Sequence, residues 1–120
     1  MVVDSNMFLV GVIRDVFENT AKVEVASSLG QAWEVDFSPV ALHSVAKGIG
    51  NKTFEIEFIP KDTPIERGDF VSLTLVVVLI FVAEVADVGD ADGSSFKKVF
   101  ATILSRPGET GKVIVFGVKK

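Results

Sequence analysis

Residues 65–88 read IERGDFVSLTLVVVLIFVAEVADV, an Arg67-Gly68-Asp69 triplet running into an almost unbroken apolar stretch. An adhesion loop, a membrane segment and a buried part of a sheet would each account for such a stretch, and lengths help to separate them. Phe70 to Ala83 is 14 residues, which as a helix covers roughly 21 Å against a hydrocarbon core of about 30 Å. It is too short to span. Val71, Thr74, Val76, Val77, Val78, Ile80 and Val82 are β-branched, and their restricted χ1 angles suit a pleated strand. A single strand of that length would extend about 46 Å, while a compact chain of this size has a radius of gyration near ~14 Å. The run therefore has to bend or break, and we place the break between Leu73 and Val78, although neither Gly nor Pro marks it.

The triplet itself reads as a turn. Pro60 and Pro64 precede it and a strand follows, so Gly68 is expected at positive φ with an Asx-type hydrogen bond from Asp69. An exported adhesin would need the same triplet at an exposed loop tip.

Elsewhere the hydrophobic period is two. Val23 and Val25 alternate with Lys22 and Glu24; Trp33, Val35 and Phe37 with Glu34 and Asp36; Phe54, Ile56 and Phe58 with Glu55 and Glu57. Each apolar set is expected to face one core and each acidic set water. Further strands are expected over 8–17, 96–104 and 112–118, with turns at 18–20, 27–31, 47–52, 87–95 and 106–111. Only Pro39 to Gly48 has room for a helical turn, with Pro39 as a first-turn proline. The expected fold is all-β, a small antiparallel barrel or sandwich of about seven or eight strands, in a single domain over 1–120.

Composition narrows the function. Acids outnumber bases 16 to 12, for a net charge of −4, and no basic stripe is present, which argues against nucleic acid. Without Cys there is no disulfide framework and no thiolate metal site. His43 is the only His, so a multi-His zinc site is excluded and His43 is read as a loop or half-buried residue. Asp90, Asp92 and Gly93 resemble part of a calcium loop, but Val88 and Val99 stand where further acids would be needed, and a solvated hairpin is the better reading. Asn51-Lys52-Thr53 is a formal glycosylation acceptor. Glu55 and Glu57 are expected to keep one strand face wet rather than to act as an acid and base pair. Gly48, Gly50, Gly108 and Gly111 lack the Lys-Ser or Lys-Thr of a phosphate loop. No catalytic residue, cofactor or metal is expected.

The order of short motifs carries a resemblance. Val10-Gly11-Val12, then Gly48-Ile49-Gly50-Asn51, then Ile59-Pro60-Lys61-Asp62, then Gly68-Asp69-Phe70-Val71 is similar to the second half of the extracytoplasmic β-domain of the MreC rod shape-determining family. The family's Thr-Ser-Gly segment and its following Gly- and Pro-containing loop are replaced here by SLTLVVVLIFVAEV. The family's membrane helix, coiled coil and first β-subdomain have no counterpart, as expected of a truncated, short or redesigned relative.

The resemblance implies a non-enzymatic scaffold on the extracytoplasmic, periplasmic face of the bacterial inner membrane, serving cell elongation and peptidoglycan synthesis. It implies self-association and binding to a penicillin-binding cell-wall synthase and to MreD. A small-ligand-binding or catalytic barrel built around the Gly68-Asp69 turn is the alternative. Because both faces of the run at Leu73 to Val82 are apolar, either the molecule covers both or a second chain does. Leu75, Val77 and Leu79 are the candidate self-association surface.

Overall fold

A computed structural model describes residues 1–75, 78–90, 95–106 and 113–115, with side chains at all of these except 74, 75, 78, 90 and 113. It is all-β, and its described residues form ten strands. These are β1 (Val2–Asp4), β2 (Leu9–Val16), β3 (Ala21–Val25), β4 (Ala32–Ser38), β5 (His43–Gly50), β6 (Thr53–Pro60), β7 (Phe70–Leu75), β8 (Val78–Asp90), β9 (Phe96–Ile103) and β10 (Val113–Val115). Six close into a barrel in the order β4-β5-β6-β9-β8-β7, and four form a sheet in the order β10-β1-β2-β3. The radius of gyration is 14.9 Å.

The apolar run is a hairpin. β7 and β8 pair antiparallel with Leu75 opposite Val78 and Leu73 opposite Ile80, so the chain reverses inside the interval expected for the break. This reversal regroups the side chains. Strict alternation along one strand would put Leu73 with Leu79 and Phe81, whereas pairing sets Leu73 beside Ile80 facing the core. A register shift between Val71 and Ser72 leaves Val82 and Ala83 both fully buried, as a bulge that takes up one extra residue does.

Alternation holds on β4, where Val35 and Phe37 are buried and Glu34 and Asp36 exposed. Trp33 is only half-buried, and its indole N–H donates to Ala26 O at 3.1 Å. On β6, Phe54 and Ile56 are in the core, but Phe58 is 71 % exposed and Ile59 takes the inward place. The cause is a register shift between Ile56 and Ile59 with Phe58 at φ 60°, which flips every side chain beyond it. Glu55 and Glu57 are half-buried, not fully in water as alternation suggested.

The helical turn expected after Pro39 is absent. Ser38–Pro39 is a cis peptide, Phe37 N–H donates to Leu42 O at 2.9 Å, and β5 starts at His43 to pair with β4. Ladder pairing overrides a weak local helical pattern here. The turn expected over 47–52 is also narrower, since β5 runs through Gly50 and only Asn51 and Lys52 reverse the chain, at φ 52° and 60°. Two successive positive φ values are those of a tight two-residue hairpin.

Sheet and barrel are joined through residues 26–31. Ala26 N–H donates to Val10 O, Gly48 N–H to Gln31 O and Gly50 N–H to Ser27 O, at 2.8–2.9 Å. Gly48 allows this approach, because a Cβ there would lie 2.2 Å from Ser28 O. Phe81 N–H donates to Met7 O at 3.0 Å, tying β8 to the segment before β2.

Candidate functional site

Gly68 has φ 95°, Asp69 N–H donates to Glu66 O, and the Asp69 carboxylate accepts from Glu66 N–H at 2.9 Å. Gly68 has the positive φ expected of it, but the Asp69 carboxylate bonds back to Glu66 N–H rather than forward as in an Asx turn. Gly68 N–H donates to Val85 O and Val85 N–H to Asp69 O, while the Arg67 guanidinium donates from Nε to Ala86 O at 2.9 Å. Arg67-Gly68-Asp69 is therefore laid along β8 rather than held out on a tip, the opposite of what an adhesion loop requires. Arg67, Glu84, Val85, Ala86 and Thr102 line an open groove of about 300 Å³.

His43 departs from expectation. It is exposed and sits on a strand, with Nδ1 3.0 Å from Asp36 Oδ1 and Nε2 4.0 Å from Glu34 Oε1. Both acids are across the β4–β5 ladder, so no proximity along the chain reveals them. Among the described residues no three His, Asp or Glu side chains gather as a metal site would need. Asp92 and Gly93 lie outside the described residues, as does the side chain of Asp90. Glu55 is held below its usual range by a hydrogen bond with Glu57 and by Lys98, 3.5 Å away, with desolvation opposing.

What stands out on the barrel exterior is apolar. Phe81, opposite Ser72, sits in an aromatic chain, with ring centroids 6.4 Å from Phe8 and 6.1 Å from Phe70, both edge-on. Beyond it Leu79 is 48 % and Phe70 43 % exposed. Of the candidate surface, the structure places Leu79 outside; the side chain of Leu75 and all of Val77 lie outside the described residues. A second aromatic pair, Phe58 and Phe96, has centroids 5.9 Å apart. The sequence pattern missed it because it placed Phe58 inside.

The model of the rod shape-determining protein MreC, barrel core, matches residues 1–117. The chain belongs to the MreC family. The crystal structure of MreC from Pseudomonas aeruginosa superposes with a TM-score of 0.84 at 23 % identity, over 96 % of this chain and 77 % of that one. A second solved structure, titled MreC, gives 0.81 at 23 % identity over 93 % and 66 %. No curated protein matches. The membership sets the coarse role, a structural protein of rod-shape determination. No helix among the described residues is long and apolar enough to cross a membrane. As an MreC barrel core, the chain offers a surface as its candidate site, the outer face of β7 and β8 around Phe70, Leu79 and Phe81.

Proposed function

We propose that this chain is a single MreC-like β-domain over 1–120 that serves as a non-enzymatic scaffold in bacterial cell elongation, acting by self-association and by binding other proteins. Its setting is the extracytoplasmic face of the inner membrane, and its partners are a penicillin-binding cell-wall synthase and MreD. The observation that carries the reading is the exposure of Phe70 and Leu79 beside the aromatic chain through Phe81. Large apolar side chains grouped on a rigid sheet are what a protein contact desolvates. Pairing on β7–β8 divides the apolar run between the core and this face, and Phe8 covers only the Phe81 end of it. Light scattering on the unmodified chain and on Leu79→Lys tests this. The variant is expected to lose mass or partner binding with its sheet circular dichroism intact. A chain that is monomeric at high micromolar concentration and binds neither partner overturns the reading.

A further inference from the structure

β3 is the end strand of the four-stranded sheet, and among the described residues nothing pairs with its outer edge. Ala26 N–H donates to Val10 O, and Glu24 lies opposite Val12 with Val23 opposite Ile13. In an antiparallel ladder hydrogen-bonded and non-hydrogen-bonded pairs alternate. Glu24 thus exchanges bonds with β2, and the N–H and C=O of Val23 point outward. Such edges are ordinarily blunted by charged side chains, a proline, a covering loop or a bulge in the edge strand itself, and of these β3 carries only the charges of Lys22 and Glu24. The irregularity here is an extra residue in β2, between Ile13 and Asp15, and Ala21, Lys22 and Val23 of β3 are exposed.

The sequence of β3, Ala21-Lys22-Val23-Glu24-Val25, is complementary to itself when reversed. Two copies laid antiparallel with Val23 on the dyad put Lys22 of each opposite Glu24 of the other. Charges on that face balance within each chain, with Arg14 and Lys22 against Asp15 and Glu24, and Arg14 already grips Glu24 through two hydrogen bonds at 3.0 and 3.1 Å. On the other face the same register brings Val23 of the two copies together, in line with the exposed Val16. Opposite charges and β-branched pairs directly across a ladder both stabilise it.

We infer that two copies of this chain join edge to edge through β3, forming a continuous eight-stranded sheet with Val23 at its two-fold axis. The inference rests on the reading that the chain self-associates and adds, apart from the Leu79 face, a second strand at which copies meet. A two-fold contact of this kind is closed, giving a dimer, whereas β3 pairing with the opposite edge strand, β10, would propagate into filaments.

Charge exchange tests it. Lys22→Glu alone and Glu24→Lys alone each set like charges opposite one another at both ends of the junction and are expected to raise the dimer dissociation constant about tenfold. Mixed together, the two variants restore both opposite-charge pairs, and the mixture is expected to recover the dimer mass. The chain has no Cys, so Val23→Cys gives a clean cross-link, expected to form with mild oxidant far faster than in Val45→Cys on the barrel. If the unmodified chain associates but the charge variants keep its mass and Val23→Cys fails to cross-link, the β3 junction is wrong and self-association stands. Open-ended growth that persists in Lys22→Glu also overturns the closed junction. A chain monomeric at high micromolar concentration overturns both.

Discussion

The ring of Phe8 meets the ring of Phe81 edge-on, with centroids 6.4 Å apart and planes at 85°. One residue belongs to the segment leading into β2 and the other to the outer face of β8, so this contact fastens sheet to barrel together with the Phe81 to Met7 hydrogen bond. A double-mutant cycle on Phe8→Ala and Phe81→Ala, followed by urea unfolding, is expected to show a coupling of about 0.5–1.5 kcal/mol. Strictly additive losses would mean that the rings touch without holding the two parts together.

Gly48→Ala is expected to be among the most damaging single changes. Its methyl would meet the Ser28 carbonyl, which belongs to the 26–31 joint, and overpacking against backbone costs about 2 kcal/mol or more. A thermal midpoint within a degree of the parent would show that the joint gives way easily.

Gly68→Ala separates conformation from space. The nearest atom to a new methyl is Glu84 Oε1 at 3.9 Å, so nothing clashes, but φ 95° is unfavourable for an L side chain. The expected loss is about 1 kcal/mol. Asp69→Ala, which removes the acceptor for Glu66 N–H, should cost about as much. Unchanged denaturation midpoints in both would remove the turn from the list of what holds β7 to β8.

The opposite sign is expected at Phe58. A bulky residue at φ 60° is strained, and its exposed ring gives up little on replacement. Phe58→Asn should raise stability by about 0.5–1 kcal/mol. A fall instead would show that contact with Phe96 outweighs the backbone.

Arg14 lowers the pKa of Glu24 by hydrogen bonding, aided by Gln31 and opposed by desolvation. Because the folded carboxyl titrates below its unfolded value, the pair's contribution is complete above the ordinary glutamate pKa and is lost as pH falls through the lowered one. Both groups are exposed, so the effect is small and sensitive to salt. Unfolding midpoints measured from pH 6 to pH 3 are expected to fall slightly less in Glu24→Gln than in the parent; identical slopes would exclude the pair.

How much of this was legible in the chain depends on how local each cause is. Alternation placed Val35, Phe37, Phe54 and Ile56 correctly, because period two is a property of the strand itself. It failed at Phe58 and Ile59, where a bulge set by pairing with β9 changes the phase. β1 went unseen because three residues carry no periodic signal and its partners include β10 at the far end of the chain. The reversal within the apolar run was required by length alone, and its regrouping of Leu73 with Ile80 followed only from register. The period of two and the spacing of turns pointed to the fold class, and the family's motifs to the coarse role. The exposed aromatic faces were not legible, since they depend on which residues the barrel leaves uncovered.

The pairing of Val2 with Val115 also governs time. The barrel strands occupy an unbroken stretch between β3 and β10, so a chain emerging from its N-terminus makes β1 to β3 first and then waits through the whole barrel before β10 arrives. Closing so long a loop is entropically costly and slow. Until it closes, the open edge is β1 itself, and a strand from a neighbouring nascent chain can take the place that β10 will fill.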